Sequence, residues 1–322
     1  MKKLILIGSL AAVLFAGCKK NEDDQLVNPT DNNTSVQRSC GSMEVLAAQM
    51  NADPALEARM NSIEAFTQDA IAKGATARLV NGVIEIPVVV NVLYKTASEN
   101  ISLTQIQSQI DVLNEDFNAT NADYSLVPSA FSGVKANVGI RFVLDQVIRK
   151  STNKRSWGTN DAMKKSSQGG INPTSPTTKL NMWSCTLSNG ILGYAQFPGG
   201  SSSTDGVVIL NTAFGRTGTV RAPYNKGRTA THEVGHWLNL RHIWGDATCG
   251  SDLVSDTPTH NTANYGCPAA GHKSTCTGTP IEMTMNYMDY TDDPCMYMFS
   301  LGQKSRILAV FATGGPRASF AL

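Results

Sequence analysis

The stretch THEVGHWLNLRH, residues 231–242, constrains this chain more than any other. It sets His232 and His236 four residues apart, so that on a helix both imidazoles project from one face, a turn from each other. His242 follows six residues after His236, and Glu233 sits beside the first histidine. Two imidazoles at that spacing can each bring a ring nitrogen to about 2.0–2.1 Å from a single ion, the distance zinc requires. Three protein ligands leave one tetrahedral position for water, which separates a catalytic zinc site from a structural one with four protein ligands. Glu233 is then placed to take the proton of that water as it attacks a carbonyl. A histidine pair at helical spacing also arises by accident in cores and on surfaces. Against that reading, three of the chain's five histidines fall in this one window.

The window continues as H-x-x-N-x-x-H, close to the long metzincin signature H-E-x-x-H-x-x-G-x-x-H. Asn239 stands where that signature has the glycine of a sharp turn. Asparagine is the next most tolerant residue of the left-handed conformation, so the turn is expected to survive. A methionine turn forms the second half of the signature, and NYMDY at 286–290 supplies one. On these motifs, with LGYAQFPGG at 192–200 and MDYTDDPCMYMFSLGQ at 288–303, the chain from Val83 onward resembles the pappalysin family of metzincin metallopeptidases. Within it the likeness is greatest to the small prokaryotic ulilysin-like branch. The resemblance implies an α+β, metzincin-type zincin: a twisted mixed sheet with a backing helix and an active-site helix, then an irregular, disulfide-bonded C-terminal subdomain. It also implies that Met288 lies beneath the zinc and that Tyr290 swings between metal ligation and support of the tetrahedral intermediate. Most methionines in such a region merely fill space, so Met288 alone decides little.

Residues 1–17 carry two lysines and an apolar run of roughly a dozen residues, too short for a permanent span, and read as an export signal. LFAGC, ending at Cys18, resembles a bacterial lipobox, whose cysteine is lipidated and becomes the N-terminus; an ordinary signal peptide with an incidental cysteine is the alternative. Residues 18–38 are polar and read as a disordered tether. Residues 39–77 are the expected inhibitory prosegment. A thiolate is a strong zinc ligand, so Cys40 on a flexible arm can take the position the water needs, and the resemblance extends to such a cysteine switch. The alternative for Cys40 is a disulfide with Cys185. A helical pattern spans 44–71, interrupted at Pro54. The polar KGATAR at 73–78 has the character of a nicking site, with activation expected at the Ala77–Arg78 bond.

Residues 78–322 form the expected catalytic domain, divided into subdomains 78–242 and 243–322. IEIPVVVNVLY at 84–94 reads as a strand buried on both faces. From Ser102 to Phe117, apolar residues at Leu103, Ile106, Ile110, Leu113 and Phe117 mark one face of a helix, opened by a Ser102–Gln105 capping pair. Further strands are expected at 138–148, 179–187 and 206–214. Family likeness makes LGYAQFP the edge strand along which a peptide substrate lies; a plain loop is the alternative. With 322 residues, 41% of them hydrophobic, the chain is long enough for one such domain and its prosegment. A formal charge of +1 does not favour nucleic acid, and no later run could cross a membrane. The expected product is a monomeric exported enzyme acting on proteins or peptides. It would touch the bacterial envelope only through its lipid anchor, or be released when the prosegment is removed.

After His242 come Cys249, Cys267, Cys276 and Cys295, which in an exported protein pair with one another, and three pairings are possible. The resemblance favours Cys249 with Cys276 and Cys267 with Cys295. A second zinc site finds no C-x-x-C to support it, and Cys185 is left as an expected buried thiol. Asp246, Asp252, Asp256, Thr257 and Thr259 offer hard oxygen ligands on an irregular loop, and the resemblance implies structural calcium there, with Asp252 and Asp256 as the better candidates. Solvated acids are the alternative. In metzincins the segment equivalent to 291–295, TDDPC, lines the pocket for the residue after the scissile bond. A carboxylate at its base favours a long basic side chain, above all arginine. Cleavage is therefore expected on the N-terminal side of Arg or Lys, with Asp293 selecting, and Ala77–Arg78 fits that rule. The alternatives are a surface lipoprotein whose zinc site is non-catalytic and serves binding, or a metzincin of broad specificity.

Overall fold

A computed structural model describes residues 37–74 and 83–321. The expected export signal, Cys18, most of the expected tether and the Ala77–Arg78 bond lie outside the described residues. Two helices come first, α1 (Ser42–Ala52) and α2 (Ala55–Ala72), parted at Pro54, whose ring and missing amide cannot continue a helix. The strand β1 (Ile84–Tyr94) follows, and Ile84, Ile86, Val88, Val89, Val90 and Val92 are all fully inaccessible, as burial on both faces requires.

Helix α3 (Leu103–Phe117) opens at Ser102, whose hydroxyl accepts the Gln105 amide hydrogen. The reciprocal half of the capping pair does not form. The Gln105 side-chain amide instead donates to the carbonyls of Asn211 and Phe214, which ties α3 to the far end of the sheet. Ile106, Ile110, Leu113 and Phe117 are buried on the predicted face, but Leu103 is 59% exposed, so the apolar stripe begins one turn later than its spacing suggested.

The remaining strands are β2 (Lys135–Ala136), β3 (Ile140–Ser151), β4 (Leu180–Cys185), β5 (Gly193–Ala195) and β6 (Val207–Leu210). The main sheet runs β3-β1-β4-β6-β5 and is parallel except for β5, the antiparallel edge strand. The expected strand at 206–214 is cut short because Asn211–Ala213 turns into a 3-10 helix. Helix α4 (Arg228–Trp237) carries the zinc motif. A short strand β7 (Phe299–Ser300) pairs with β2, and helix α5 (Leu301–Ala309) begins on a Ser300–Gln303 capping box.

One core lies between the sheet and α3 and α4 and continues beneath the methionine turn, through Val234, Trp237, Met288, Phe299 and Ile307. On the other side of β4, Trp183 and Cys185 pack with Trp157, Met163 and Val208. The region after His242 is short of regular structure and is closed by the two expected disulfides, Cys249–Cys276 and Cys267–Cys295. Cys40 and Cys185 are both free, which rules out the alternative in which they pair.

Candidate metal centre

Helix α4 starts where Arg228 is gripped from several sides. Its guanidinium meets Asp116 at 3.0 Å and Asp123 at 3.0 Å, and donates to the Tyr287 hydroxyl at 2.6 Å. One turn on, the Thr231 hydroxyl donates to Asp116 at 2.6 Å. This buried network fixes the rotation of the helix, and with it the direction of His232 and His236. After Trp237 the chain leaves the helix and turns at Asn239, where φ is +70°, the left-handed turn expected of asparagine in a glycine position. His242 is thereby brought back over the helix.

The three rings converge. His236 Nε2 lies 3.1 Å from Nε2 of both His232 and His242. Tetrahedral ligands at about 2.0–2.1 Å from an ion stand about 3.4 Å apart, so the spacing matches a shared zinc. Each Nδ1 faces an acceptor: the Tyr287 carbonyl at 2.7 Å for His232, the Leu240 carbonyl at 2.8 Å for His236, and the Asp246 carboxylate at 2.5 Å for His242. Those partners put the proton on Nδ1 and turn the Nε2 lone pair inward, the tautomer a metal ligand needs. Burial, and then the neighbouring imidazoles, hold His232 and His236 well below the usual histidine range, so both are neutral. Cys40 Sγ joins the three nitrogens in one group. Neutral imidazoles with one sulfur are a donor set that suits zinc.

Glu233 is fully enclosed beside this group. Its Oε2 accepts from the Ser42 hydroxyl at 2.9 Å and from the Cys40 thiol at 3.3 Å. Burial pushes its carboxyl up to about 7, against the pull of Ser42, Cys40 and Arg38. Edge strand β5 passes so close that a Cβ on Gly193 would stand 2.9 Å from Glu233 Cγ, which explains a glycine there. Met288 is fully buried under α4, where a Cβ on Gly235 would overlap its sulfur. Tyr290 packs edge-on against His242, with ring centroids 5.0 Å apart, and its hydroxyl donates to the Cys40 carbonyl at 3.4 Å.

The segment that carries Cys40 lies along β5. Leu192 N–H donates to the Ser39 carbonyl and Gly41 N–H to the Gly193 carbonyl, each at 2.9 Å, and the two chains run parallel. Ser42 Oγ also accepts the Ala195 amide hydrogen at 2.8 Å. Preceding Cys40, Arg38 fills a buried pocket. Its Nη2 meets Asp293 at 2.6 Å, Nη1 donates to the Thr229 hydroxyl at 3.3 Å, and Nε donates to the Thr291 carbonyl at 3.1 Å. The guanidinium also stands 5.0 Å from the centre of the Tyr224 ring. Asp293 is held in turn by the backbone amides of Lys226 and Arg228.

Three residues of this site escaped the sequence reading. Arg38 falls within the expected tether, whereas the structure buries it in the pocket beside Asp293. A basic residue two positions before Cys40 was the available signal. Ser42 carried none. Asp246 was read as a possible calcium ligand, yet it orients His242, and its position four residues after that histidine could have suggested this.

The calcium expectation finds no support in the loop geometry. Asp252 accepts from the Thr257 hydroxyl and the Val254 amide, while Asp256 accepts from Ser300 Oγ at 2.6 Å and Gly302 N–H at 2.8 Å and so fastens the start of α5. Thr259 is exposed. Among the described residues, three or more histidine, cysteine or acidic ligands converge only at Cys40 and the three histidines.

Comparison with known proteins agrees with this geometry. The peptidase M43 family, described as pregnancy-associated plasma protein-A, matches residues 179–312. An extracellular metalloprotease of Arthroderma benhamiae is 31% identical over 281 residues, 85% of this chain and 90% of that protein. One from Pyricularia oryzae is 35% identical over 222 residues, 66% of this chain and 68% of the relative. Among solved structures, mature mirolysin of Tannerella forsythia in complex with a cleaved peptide is 45% identical. It covers 74% of this chain and 96% of its own, with a TM-score of 0.72. A promirolysin mutant from the same organism is 41% identical and covers 88% of this chain and 97% of its own, with a TM-score of 0.79. The chain therefore belongs to the pappalysin family, as a zinc metalloendopeptidase.

Proposed function

We propose that this protein is an exported metalloendopeptidase, made latent by a cysteine switch, that hydrolyses peptide bonds on the N-terminal side of arginine and, less well, lysine. The observation that carries the specificity is Arg38 in its pocket: each guanidinium nitrogen has an acceptor, and Asp293 neutralises the charge. A lysine ammonium reaching the same place is a single point charge. It can meet Asp293 without filling the planar fork that Thr229 and Thr291 complete.

His232, His236 and His242 would hold zinc, and Cys40 Sγ would take the remaining position in the latent form. Zinc supplies Lewis-acid polarisation of the scissile carbonyl and makes water acidic enough to attack near neutral pH. Glu233 acts as general base, accepting a proton and passing it to the leaving amine. The Tyr290 hydroxyl, which now donates to the Cys40 carbonyl, is positioned to donate to the oxygen that gains charge in the transition state. Met288 serves as the packed floor beneath α4.

Chain direction accounts for the survival of the prosegment. It lies parallel to β5, whereas a substrate with arginine in the Asp293 pocket and its preceding residue beyond the metal must run antiparallel. Arg38 thus fills the pocket while the backbone presents its amide with reversed polarity. Removal of residues up to Ala77, at a bond followed by Arg78, fits self-processing and would part the catalytic domain, residues 78–322, from an anchor at Cys18. We take the processed enzyme to be a monomer.

Cleavage-site mapping on a peptide library by mass spectrometry tests this reading. Cuts should fall before arginine, and Asp293→Ala should abolish the preference. An unchanged profile in the variant would reject Asp293 as the selector.

A further inference from the structure

We propose that the surface of the catalytic domain beneath α2 is, once the prosegment has gone, an exosite for an acidic amphipathic helix of a protein substrate, with Arg306 as its anion anchor. The proposal rests on the reading of residues 39–77 as a removable prosegment.

Helix α2 is seated on that surface by one buried charge pair. Arg306 Nη1 and Nη2 donate to the two carboxylate oxygens of Glu64 at 2.9 and 2.8 Å, a bidentate fork. The Arg306 side chain is 1% exposed and that of Glu64 23%, so the guanidinium lies directly under the helix. Burial works against the Glu64 carboxylate, but the Arg306 and Gln68 hydrogen bonds, with Arg241 nearby, hold it below its usual range. Arg306 belongs to the enzyme and stays when α2 leaves. The Asn239 and Leu253 carbonyls, at 3.3 and 3.4 Å, keep the fork aimed, and its Nε is buried without a partner among the described residues. With the fork held in place by those carbonyls, the edge that Glu64 now occupies is left to receive another carboxylate.

On the enzyme's side one apolar contact adjoins it, the Phe197 ring. Leu46 and Leu56 of the prosegment pack on Phe197, with Met43, Met50 and Met60 around them. The cover is loose, since a cavity of about 320 Å³ remains between Met60, Glu64, Phe197, Asn239 and Arg241. Leu56, Met60 and Glu64 stand at successive four-residue steps, one stripe of a helix, about 12 Å from first to last at 1.5 Å per residue. That stripe, two apolar residues and then an acid, describes the partner. The surface is continuous with the cleft: the Phe197 ring lies 5.2 Å from that of His236, and Asn239 forms the turn between the second and third zinc ligands. It covers the side on which substrate residues preceding the cut bond would lie.

The test uses processed enzyme and three substrates sharing one short arginine-containing cleavage sequence. The first carries only a flexible Gly/Ser extension on its N-terminal side. The second carries the sequence of residues 55–72 at the end of that extension, with Arg59→Gln so that no further arginine site is added, and the third the same with Glu64→Gln as well. Variation is kept in the substrate because Arg306 also braces the Asn239 carbonyl. The second substrate should show a KM at least tenfold below the first with kcat unchanged, and the third should lose most of that gain. Equal KM values for the second and third, or for all three, would overturn the exosite. Failure to cut the first substrate would instead count against the proposed peptidase function, so the two failures are distinguishable.

Discussion

Arg38→Ala should convert a tightly latent zymogen into a leaky one. In the closed state Arg38 and Asp293 form a buried pair at 2.6 Å, with side chains 1% and 0% exposed. Truncating one partner of such a pair leaves an uncompensated buried charge, at a cost of about 3–5 kcal/mol. The amides of Lys226 and Arg228 still reach Asp293 and soften that cost, which favours the lower end. At about 1.4 kcal/mol per decade, the ratio of closed to open zymogen should fall by roughly two orders of magnitude. Opening exposes the centre, so early hydrolysis of a short arginine peptide and the rate of N-terminal processing should both rise by a similar factor. Arg38→Lys, which keeps the charge but not the fork, should fall between the two. The assay follows peptide hydrolysis and N-terminal sequence on freshly purified full-length chains. Wild-type latency in Arg38→Ala would refute the reasoning and leave the Cys40 and Ser42 contacts to hold the segment alone.

Asp246→Ala removes the group that orients the His242 ring and should weaken zinc about 10- to 100-fold, measured by competition with a chelator; unchanged affinity would deny Asp246 that role. Replacing Cys267 and Cys295 together by serine opens a link across 28 residues and should lower unfolding stability by about 3–4 kcal/mol in denaturant titration, whereas an unshifted midpoint would contradict this. Burial pushes the Asp252 carboxyl from its ordinary 3.8 up to about 6, against the Thr257 hydroxyl and Val254 amide. A carboxyl raised in the folded state contributes stability that is complete below pH 3.8 and lost as pH rises through about 6. Asp252→Asn should therefore flatten the stability profile between those values and raise Tm at pH 8. A variant that keeps the wild-type slope would show that another group is responsible.

Much of the catalytic centre was legible because its chemistry is local in sequence. His232, Glu233, His236 and His242 are joined by one helix and one turn, and Asn239 reports that turn by itself. The interrupted helix at 44–71 and the doubly buried strand at 84–94 were readable from Pro54 and from periodicity for the same reason. Arg38 was not, since its partner Asp293 lies 255 residues away and only the fold brings the two together. The acids of the 246–259 loop have partners that composition does not disclose. Backbone turns set Asp252 and Asp256 against neighbouring donors and Asp246 against His242. Likewise Leu103 matched the α3 stripe by spacing, yet it is exposed in the first turn.

The central claim is that three imidazoles gather the metal while Glu233 performs the proton transfer, so one variant separates the two roles. Metal content and peptide hydrolysis should be measured on a single preparation of Glu233→Ala. The expected result is one zinc per chain, as in the wild type, with no detectable hydrolysis of an arginine peptide and a prosegment that stays attached. A preparation that binds no zinc, or one that still cuts the peptide and matures at the wild-type rate, would contradict the account.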